Sequence, residues 1–331
     1  MDFLEVPTIK KKQFVIGNFL TGESKHEIIA DIYKGLTAKQ KYISSRFFYD
    51  DNGSLLFEKI TELPEYYPTR TEKSILKGIV SEIIGNSEQL NIIELGSGDC
   101  SKISILLDTV SKSKLNHIRY IPVDISEAAI MKSAGFLAVK YPGLKIHGLL
   151  ADFMKHLTTL PGEGNRLICF FGSTLGNLTR RQATAFLLDI KTLMRPGDRF
   201  LLGLDMVKDI DIVEAAYNDK QGVTALFNKN ILNVINEYAQ TNFNPNDFKH
   251  IAFYNAEKAR IEMHLMSTTD VVIRSADFPE RVFLKKGETI HTENSHKFTD
   301  ADIQNFATAT GLKIENIYSD KNQWFSLVNF K

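Results

Sequence analysis

The sequence predicts an α/β protein: an open, mostly parallel sheet covered by helices on both faces, joined to a second, α+β lobe. Two observations carry the sheet. Between about 71 and 207, short β-branched or apolar runs alternate with amphipathic helical stretches, and the last segment, 297–331, returns to the same idiom. A third observation carries the lobe: about 208–296 breaks the rhythm, with helical patterns first and alternating strands after. Residues 1–70 read as irregular and rich in aromatics and are grouped with that lobe, so the expected division is 71–207 with 297–331 against 1–70 with 208–296.

The first run, LNIIELGSG (90–98), is a strand that ends in glycines, and SKISILLDTVSK (101–112) is the helix behind it. IRYIPVDIS (118–126) and SEAAIMKSAGFLAVKYP (126–142) repeat the pair, with Ser126 as helix cap. LKIHGLLADF (144–153) and RLICFFGST (166–174) are the next two strands. RRQATAFLLDIKTLMRPG (180–197) is a helix stopped at Arg195-Pro196-Gly197, and DRFLLGLDMV (198–207) is the strand it leads into. In the inserted stretch, DIDIVEAAYN and VTALFNKNILNVINEYAQ predict helices, and RIEMHLMSTTDVVIRS and RVFLKKGETIHTEN predict strands. A last helix spans about Thr299 to Thr310 with Gly311 as its C-cap, and LKIENIYSD and QWFSLVNFK form a hairpin at the sheet edge.

Composition narrows the function. The chain has 331 residues with 40 basic and 40 acidic side chains, a formal net charge of zero, which argues against a dedicated nucleic-acid or anionic-membrane binder. Two cysteines, Cys100 and Cys169, cannot build a disulfide framework and read as free thiols. The opening MDFLEVPTIKKKQF lacks an apolar stretch with a small-residue cleavage site, and no apolar run approaches the roughly 18 residues of a membrane span. A cytoplasmic monomer acting on a small molecule, without nucleic-acid or membrane partners, is the expectation. His117, His147, His250, His264, His291 and His296 show no spacing with one another or with cysteine that marks a metal site, and no metal is expected.

The chemistry-bearing residues cluster at strand ends. Glu94-Leu-Gly96-Ser-Gly98-Asp closes the first strand and opens a helix, where glycines admit close backbone approach to a ligand. A dinucleotide fingerprint fits poorly: Ser101 stands where a third glycine belongs, and the next strand-end acid, Asp124, is 28 positions beyond Gly96. Asp124 suits the hydroxyls of a ribose. Asp152, with Phe153, suits an adenine: a carboxylate for the exocyclic amine and an aromatic for the ring. Each acid alone is also a turn or cap carboxylate, but three such features at consecutive strand ends lie where open α/β sheets bind ligands. The combination resembles the Rossmann-like sheet of class I S-adenosylmethionine-dependent methyltransferases.

More particular stretches follow in order: Tyr49-Asp-Asp-Asn-Gly-Ser-Leu-Leu-Phe57, Leu63-Pro-Glu-Tyr66-Tyr67-Pro-Thr-Arg70, Phe171-Gly172-Ser-Thr-Leu-Gly-Asn177 and Ala215-Ala-Tyr217. Then come Phe227-Asn-Lys-Asn-Ile-Leu, Arg260-Ile-Glu-Met263 and Thr292-Glu293-Asn-Ser295-His-Lys-Phe298. From about Ser44 to Lys331 the chain resembles the bacterial L-histidine Nα-methyltransferases of ergothioneine biosynthesis. That resemblance implies S-adenosyl-L-methionine as methyl donor, bound by Gly96, Lys102, Asp124, Asp152, Phe153 and Gly172. It implies a tyrosine near the transfer centre at Tyr49, and Tyr66, Asn177 and Tyr217 on the substrate's α-amino and carboxylate groups. Glu293 and Ser295 match the pair that recognises the imidazole, with Met263 lining that end. Two positions depart from the mycobacterial-type pattern: His296 stands where a cysteine is found, and Asn294 replaces an apolar residue.

The residue types suit those roles. An imidazole has two nitrogens; Glu293 accepts from a ring N–H and Ser295 addresses the other nitrogen, and residues two apart on a strand share a face. Taken singly, Glu293 and Ser295 also read as a solvated strand face, Tyr66 as a loop aromatic, Tyr217 as a helix-surface aromatic and Asn177 as a turn cap. The competing functions are an N-methyltransferase for another amino acid, such as a tryptophan derivative, and a non-catalytic ligand-binding scaffold. Met263 and Glu293 oppose an indole, by clash and by an unpaired carboxylate.

Overall fold

The structure is a computed structural model that describes residues 8–10, 14–20, 24–84, 89–160 and 164–331. Residues 1–7 and 11–13, which carry most of the opening stretch read for a signal peptide, lie outside the described residues. The chain begins with β1 (Thr8–Lys10), β2 (Phe14–Asn18), α1 (Lys25–Thr37), β3 (Lys41–Tyr42), α2 (Asp51–Glu62) and α3 (Tyr67–Ile84). Next come β4 (Leu90–Leu95), α4 (Ser101–Leu107), α5 (Lys112–Leu115), β5 (Ile118–Asp124), α6 (Glu127–Lys140) and β6 (Lys145–Leu150). They are followed by β7 (Asn165–Phe170), α7 (Arg180–Leu193), β8 (Arg199–Asp205), α8 (Ile210–Ala215) and α9 (Val223–Ala239). The remainder is β9 (Phe248–Asn255), β10 (Arg260–Ser267), β11 (Val271–Ile273), β12 (Val282–Leu284), β13 (Thr289–His296), α10 (Asp300–Thr310), β14 (Ile314–Ser319) and β15 (Phe325–Phe330). Among the described residues, no helix is long and apolar enough to cross a membrane.

The chain divides into two compact units: Met1–Thr21, Pro68–Val207 and Lys297–Lys331 form one, Gly22–Tyr67 and Lys208–His296 the other. The first is built on a nine-stranded sheet in the order β1-β2-β6-β5-β4-β7-β8-β15-β14. From β2 through β8 neighbouring strands are parallel, and β1, β15 and β14 each pair antiparallel. β4 is buried at every position, as a strand with parallel neighbours on both sides must be. Its side chains alternate between two cores. Leu90 and Ile92 pack with Ile75, Leu76 and Ile79 of α3 and Ile130 of α6, while Ile93 and Leu95 pack with Phe186 and Ile190 of α7 and Ile303 and Phe306 of α10.

Two expectations are corrected here. The segment FVIGN, assigned with the substrate lobe, is β2 and pairs parallel with β6, burying Phe14 and Ile16 in the sheet core. An unpaired edge of β6 would leave backbone donors and acceptors open, and this short apolar run closes it. The irregular reading of 1–70 fails too, because α1 and α2 lie within it and α3 begins at Tyr67. Their starts were written in cap residues: Ser24 and Glu27 form a capping box, and Asp50 accepts from the Gly53 N–H. The C-terminal hairpin forms with β15 against β8 and β14 outermost.

The second unit contains a four-stranded sheet, β3-β13-β10-β9, and a two-stranded β11-β12 ribbon. α9 lies against β9, β10 and α2. The pairing of β10 with β13 is interrupted: Met263 faces Glu293, but the next residue, His264, faces His291, leaving Thr292 as a bulge. Residues 291 and 293 therefore point to opposite faces despite their spacing of two.

A buried ion pair ties β7 to β8 in the first unit. The Arg166 Nε donates to Asp198 Oδ2 at 2.9 Å, the Arg166 N–H to Oδ1 at 3.0 Å and the Arg195 N–H to Oδ2 at 2.8 Å. Both side chains are 2% exposed, so losing one partner leaves an uncompensated buried charge. Asp198→Ala is expected to lower the unfolding free energy by about 3–5 kcal/mol in urea denaturation.

Candidate active site

In the first unit, the candidate residues gather at the carboxyl ends of the parallel strands. The chain order steps outward from β4 to β5 and β6, then returns to β7 and β8 on the other side, and ligands bind at such a reversal. After β4 the backbone enters the left-handed region at Gly96 (φ 68°), Gly98 (φ 49°) and Cys100 (φ 43°) before α4 begins. Glycine makes this turn cheap at two of the three positions. The Gly98 N–H donates to Asp124 Oδ2 at 3.1 Å, and the Ser126 N–H to Oδ1 at 3.0 Å. Asp124 is thereby locked at the end of β5. Burial pushes its carboxyl up from the ordinary range, and the N–H groups of Ser126, Gly98 and Ile125 work against that rise.

At the end of β6, Asp152 accepts from the Met154 N–H at 2.9 Å, and its own N–H donates to His156 Nδ1 at 3.1 Å. Phe153 stands edge-on to Phe170 (5.2 Å between centroids) and Phe186 (6.1 Å). Its ring lies just beyond the space a side chain on Gly96 would fill, 3.7 Å from the Cβ position. A carboxylate at the end of β5, a second just beyond β6 and an anchored ring beside a left-handed glycine fit a nucleoside.

Lys102 and Gly172 converge on a residue that the sequence reading missed. Glu72 of α3, fully buried, takes the Lys102 Nζ at 2.7 Å and the Gly172 N–H at 3.0 Å. A signal for it existed: Glu72 continues the core-facing row of Ile75, Leu76, Ile79 and Ile83, an acid where the helix should be apolar. Gly203 of β8 makes the room, since a Cβ there would stand 2.3 Å from Glu72 Oε1. Asn177 ends the 3₁₀ turn Thr174–Asn177, preceded by the left-handed Ser173, whose hydroxyl accepts from the Asp205 N–H at 2.9 Å.

The other substrate candidates lie in the second unit, linked side chain to side chain. The Tyr217 hydroxyl donates to Ser295 Oγ at 2.7 Å. Tyr66 meets Tyr217 edge-on at 6.4 Å, Phe57 meets Tyr66 at 6.2 Å and Tyr49 meets Phe57 at 5.9 Å. Phe227 closes the cluster at 6.0 Å from Tyr49. Glu293 and Ser295 sit opposite Met263 and Ile261, so all four share one face of the bulged pair. The two departures from the family pattern, Asn294 and His296, pair with Glu262 and Arg260 and fall on the other face.

Asn228, in the Phe227-Asn-Lys-Asn-Ile-Leu stretch, holds this arrangement. Fully buried, its amide nitrogen donates to His250 Nδ1 (2.8 Å) and the His264 carbonyl (3.1 Å), and its oxygen accepts from Thr292 Oγ1 (2.7 Å). His250 Nε2 in turn donates to the Tyr217 carbonyl at 2.9 Å. One amide thus braces both the bulge beside Glu293 and the backbone of Tyr217. No local pattern announces such a hub, because its partners come from three other elements.

A family model described as histidine-specific, SAM-dependent methyltransferase matches residues 28–331. The chain belongs to this family. Among its relatives, the histidine N-alpha-methyltransferase of Mycolicibacterium smegmatis is 39% identical over 94% of this chain and 97% of that protein. The enzyme of the same name from Mycobacterium tuberculosis is 37% identical, with 94% and 97% covered. More distant is the 4-dimethylallyltryptophan N-methyltransferase of Claviceps purpurea, 27% identical over 85% of this chain and 88% of that one. The methyltransferase family membership accords with the sheet order and with the strand-end acids of the first unit.

Two predictions follow from the strand-end chemistry. Glu94, beside the glycine turn, accepts from the Tyr120 hydroxyl at 2.5 Å, and burial pushes its carboxyl up to about 8 against the pull of Tyr120 and Lys102. The folded protein then holds a proton that the unfolded chain has lost, so stability falls as pH rises from the ordinary carboxyl range toward 8, by up to about 1.4 kcal/mol per pH unit. In urea unfolding at several pH values, Glu94→Gln is expected to flatten that decline. Glu72→Gln is expected to weaken S-adenosylhomocysteine binding by about tenfold in calorimetry while the protein stays folded, because a charge-assisted contact to Lys102 is lost.

Proposed function

We propose that the protein transfers the methyl group of S-adenosylmethionine to the α-amino nitrogen of L-histidine, three times in succession, giving trimethylhistidine for ergothioneine biosynthesis. The observation that carries the histidine specificity is the shared face of Glu293, Ser295 and Met263 on the bulged strand pair, with Ser295 oriented by Tyr217. A carboxylate and a hydroxyl on one face address the two imidazole nitrogens, and the fully buried Met263 limits the width of the ring that fits. The likeness to histidine N-alpha-methyltransferases supports the same substrate.

S-adenosylmethionine, when bound, supplies a methyl group on a positively charged sulfur, an electrophile that needs no further activation. In this reading Asp124 takes its ribose hydroxyls, Asp152 and Phe153 take the adenine, and the turn at Gly96 admits close backbone approach. Glu72 joins Lys102 of α4 to the backbone of Gly172 after β7. The protein's work is then alignment, exclusion of water and presentation of a neutral amine. Within the second unit, Tyr66 and Tyr217 hold the amino-acid end of the substrate, and the Tyr49 hydroxyl orients the α-nitrogen with its lone pair available. Before each transfer the amine loses one proton to water, each transfer breaks the S–CH3 bond and leaves S-adenosylhomocysteine, and an aromatic wall of Tyr49, Phe57 and Phe227 favours the uncharged amine by partial desolvation.

Incubation with S-adenosylmethionine and a mixture of amino acids, read by mass spectrometry, is expected to yield trimethylhistidine and no methylated tryptophan. Glu293→Ala is expected to weaken histidine binding by at least about tenfold, the effect of losing one charged hydrogen bond, with S-adenosylhomocysteine affinity unchanged. Equal loss of both affinities, or methylation of tryptophan in preference to histidine, overturns the assignment.

A further inference from the structure

The face of the second unit's sheet turned away from Met263 and Glu293 carries a separate cluster. Glu262 and His264 of β10 and His291 of β13 each offer one ligand atom, and the three atoms lie within 4.8 Å of one another. Only the bulge at Thr292 brings His291 to this side, opposite His264. The two histidines are 27 positions apart in the chain, which is why no sequence spacing reveals them.

The spacing of His264 and Glu262 suits ligands more than hydrogen-bond partners. His264 Nε2 stands 3.3 Å from Glu262 Oε2, long for a charge-assisted hydrogen bond. It is close to the edge, about 3.4 Å, of a tetrahedron whose ligands lie about 2.1 Å from a central ion. The His291 Nε2 donates to the Glu293 carbonyl at 2.9 Å, which leaves Nδ1 with its lone pair and supplies the backbone anchor that metal-bound imidazoles typically have. Arg260 occupies the other carboxylate oxygen, Oε1, through Nε (2.9 Å) and Nη2 (2.6 Å), so it orients Glu262 and leaves Oε2 directed at the histidines. Phe253 backs the His264 ring at 5.5 Å.

We propose that Glu262, His264 and His291 form a binding site for one divalent transition-metal ion of the zinc class, with water completing the coordination. Two imidazoles and one carboxylate favour Zn²⁺, Ni²⁺ or Cu²⁺ over Mg²⁺ or Ca²⁺, which take oxygen ligands. Coordination opens the present stack of the two rings, whose centroids are 4.7 Å apart at 14°, so that their lone pairs converge. The ion takes no part in methyl transfer, and the site stands or falls independently of the proposed substrate.

The test uses the full untagged chain, stripped of metal and free of histidine. Titration with zinc chloride is expected to show one equivalent bound, with no binding of Mg²⁺ under the same conditions. Loading with Co²⁺ is expected to give the visible absorption of a four-coordinate nitrogen–oxygen site. His291→Asn and Glu262→Gln are each expected to weaken zinc binding by at least about tenfold while thermal unfolding stays cooperative. Wild-type protein that binds no zinc and shows no cobalt band overturns the proposal without recourse to any variant. So does zinc binding of unchanged affinity in both folded variants.

Discussion

Parallel pairing of β4 with both β5 and β7 is the constraint from which the first unit follows. A strand paired on both edges and covered on both faces is shut off from water, so Leu90–Leu95 is buried throughout, Asn91 and Glu94 included, and groups open to a ligand begin only beyond its end. Parallel neighbours also need long crossovers, and every crossover returns the chain to the same end of the strands. The residues that follow β4, β5, β6 and β7 therefore emerge side by side: Gly96, Asp124, Asp152 with Phe153, and Gly172. Their common location is a consequence of strand direction, before any ligand is considered.

The second unit depends on a smaller irregularity with equal reach. Thr292 adds one residue to β13, and everything beyond it changes face. Glu293 and Ser295 turn toward Met263, while His291 turns toward Glu262 and His264. Asn228 and the Met263 carbonyl hold the Thr292 hydroxyl at 2.7 and 3.1 Å, so the bulge is braced and not a slip in register. Glu293 with Ser295 and His291 thus share a strand without sharing a face.

Buried charge recurs in the first unit wherever elements distant in sequence must be tied together. Lys102–Glu72 joins α4 to α3, Arg166–Asp198 joins the start of β7 to the turn before β8, and Lys297–Asp205 (2.8 Å, both buried) fastens the return of the chain to the end of β8. Such pairs are costly to bury, and removing one partner leaves the other charge uncompensated.

The alternating strands and helices, the acids at the strand ends and the motif residues around Tyr66, Asn177, Tyr217 and Glu293 were all legible from the chain alone. Periodicity and turn chemistry are properties of a few neighbouring residues, and they survive without knowledge of what packs on them. Only the tertiary structure decided that FVIGN completes the sheet, that Glu72 is the partner of Lys102 and Gly172, that Asn228 braces the bulge, and which way His291 and Glu293 point. Each of those depends on pairing between segments far apart in sequence, where a single inserted residue or an open strand edge changes the outcome and no local pattern records it.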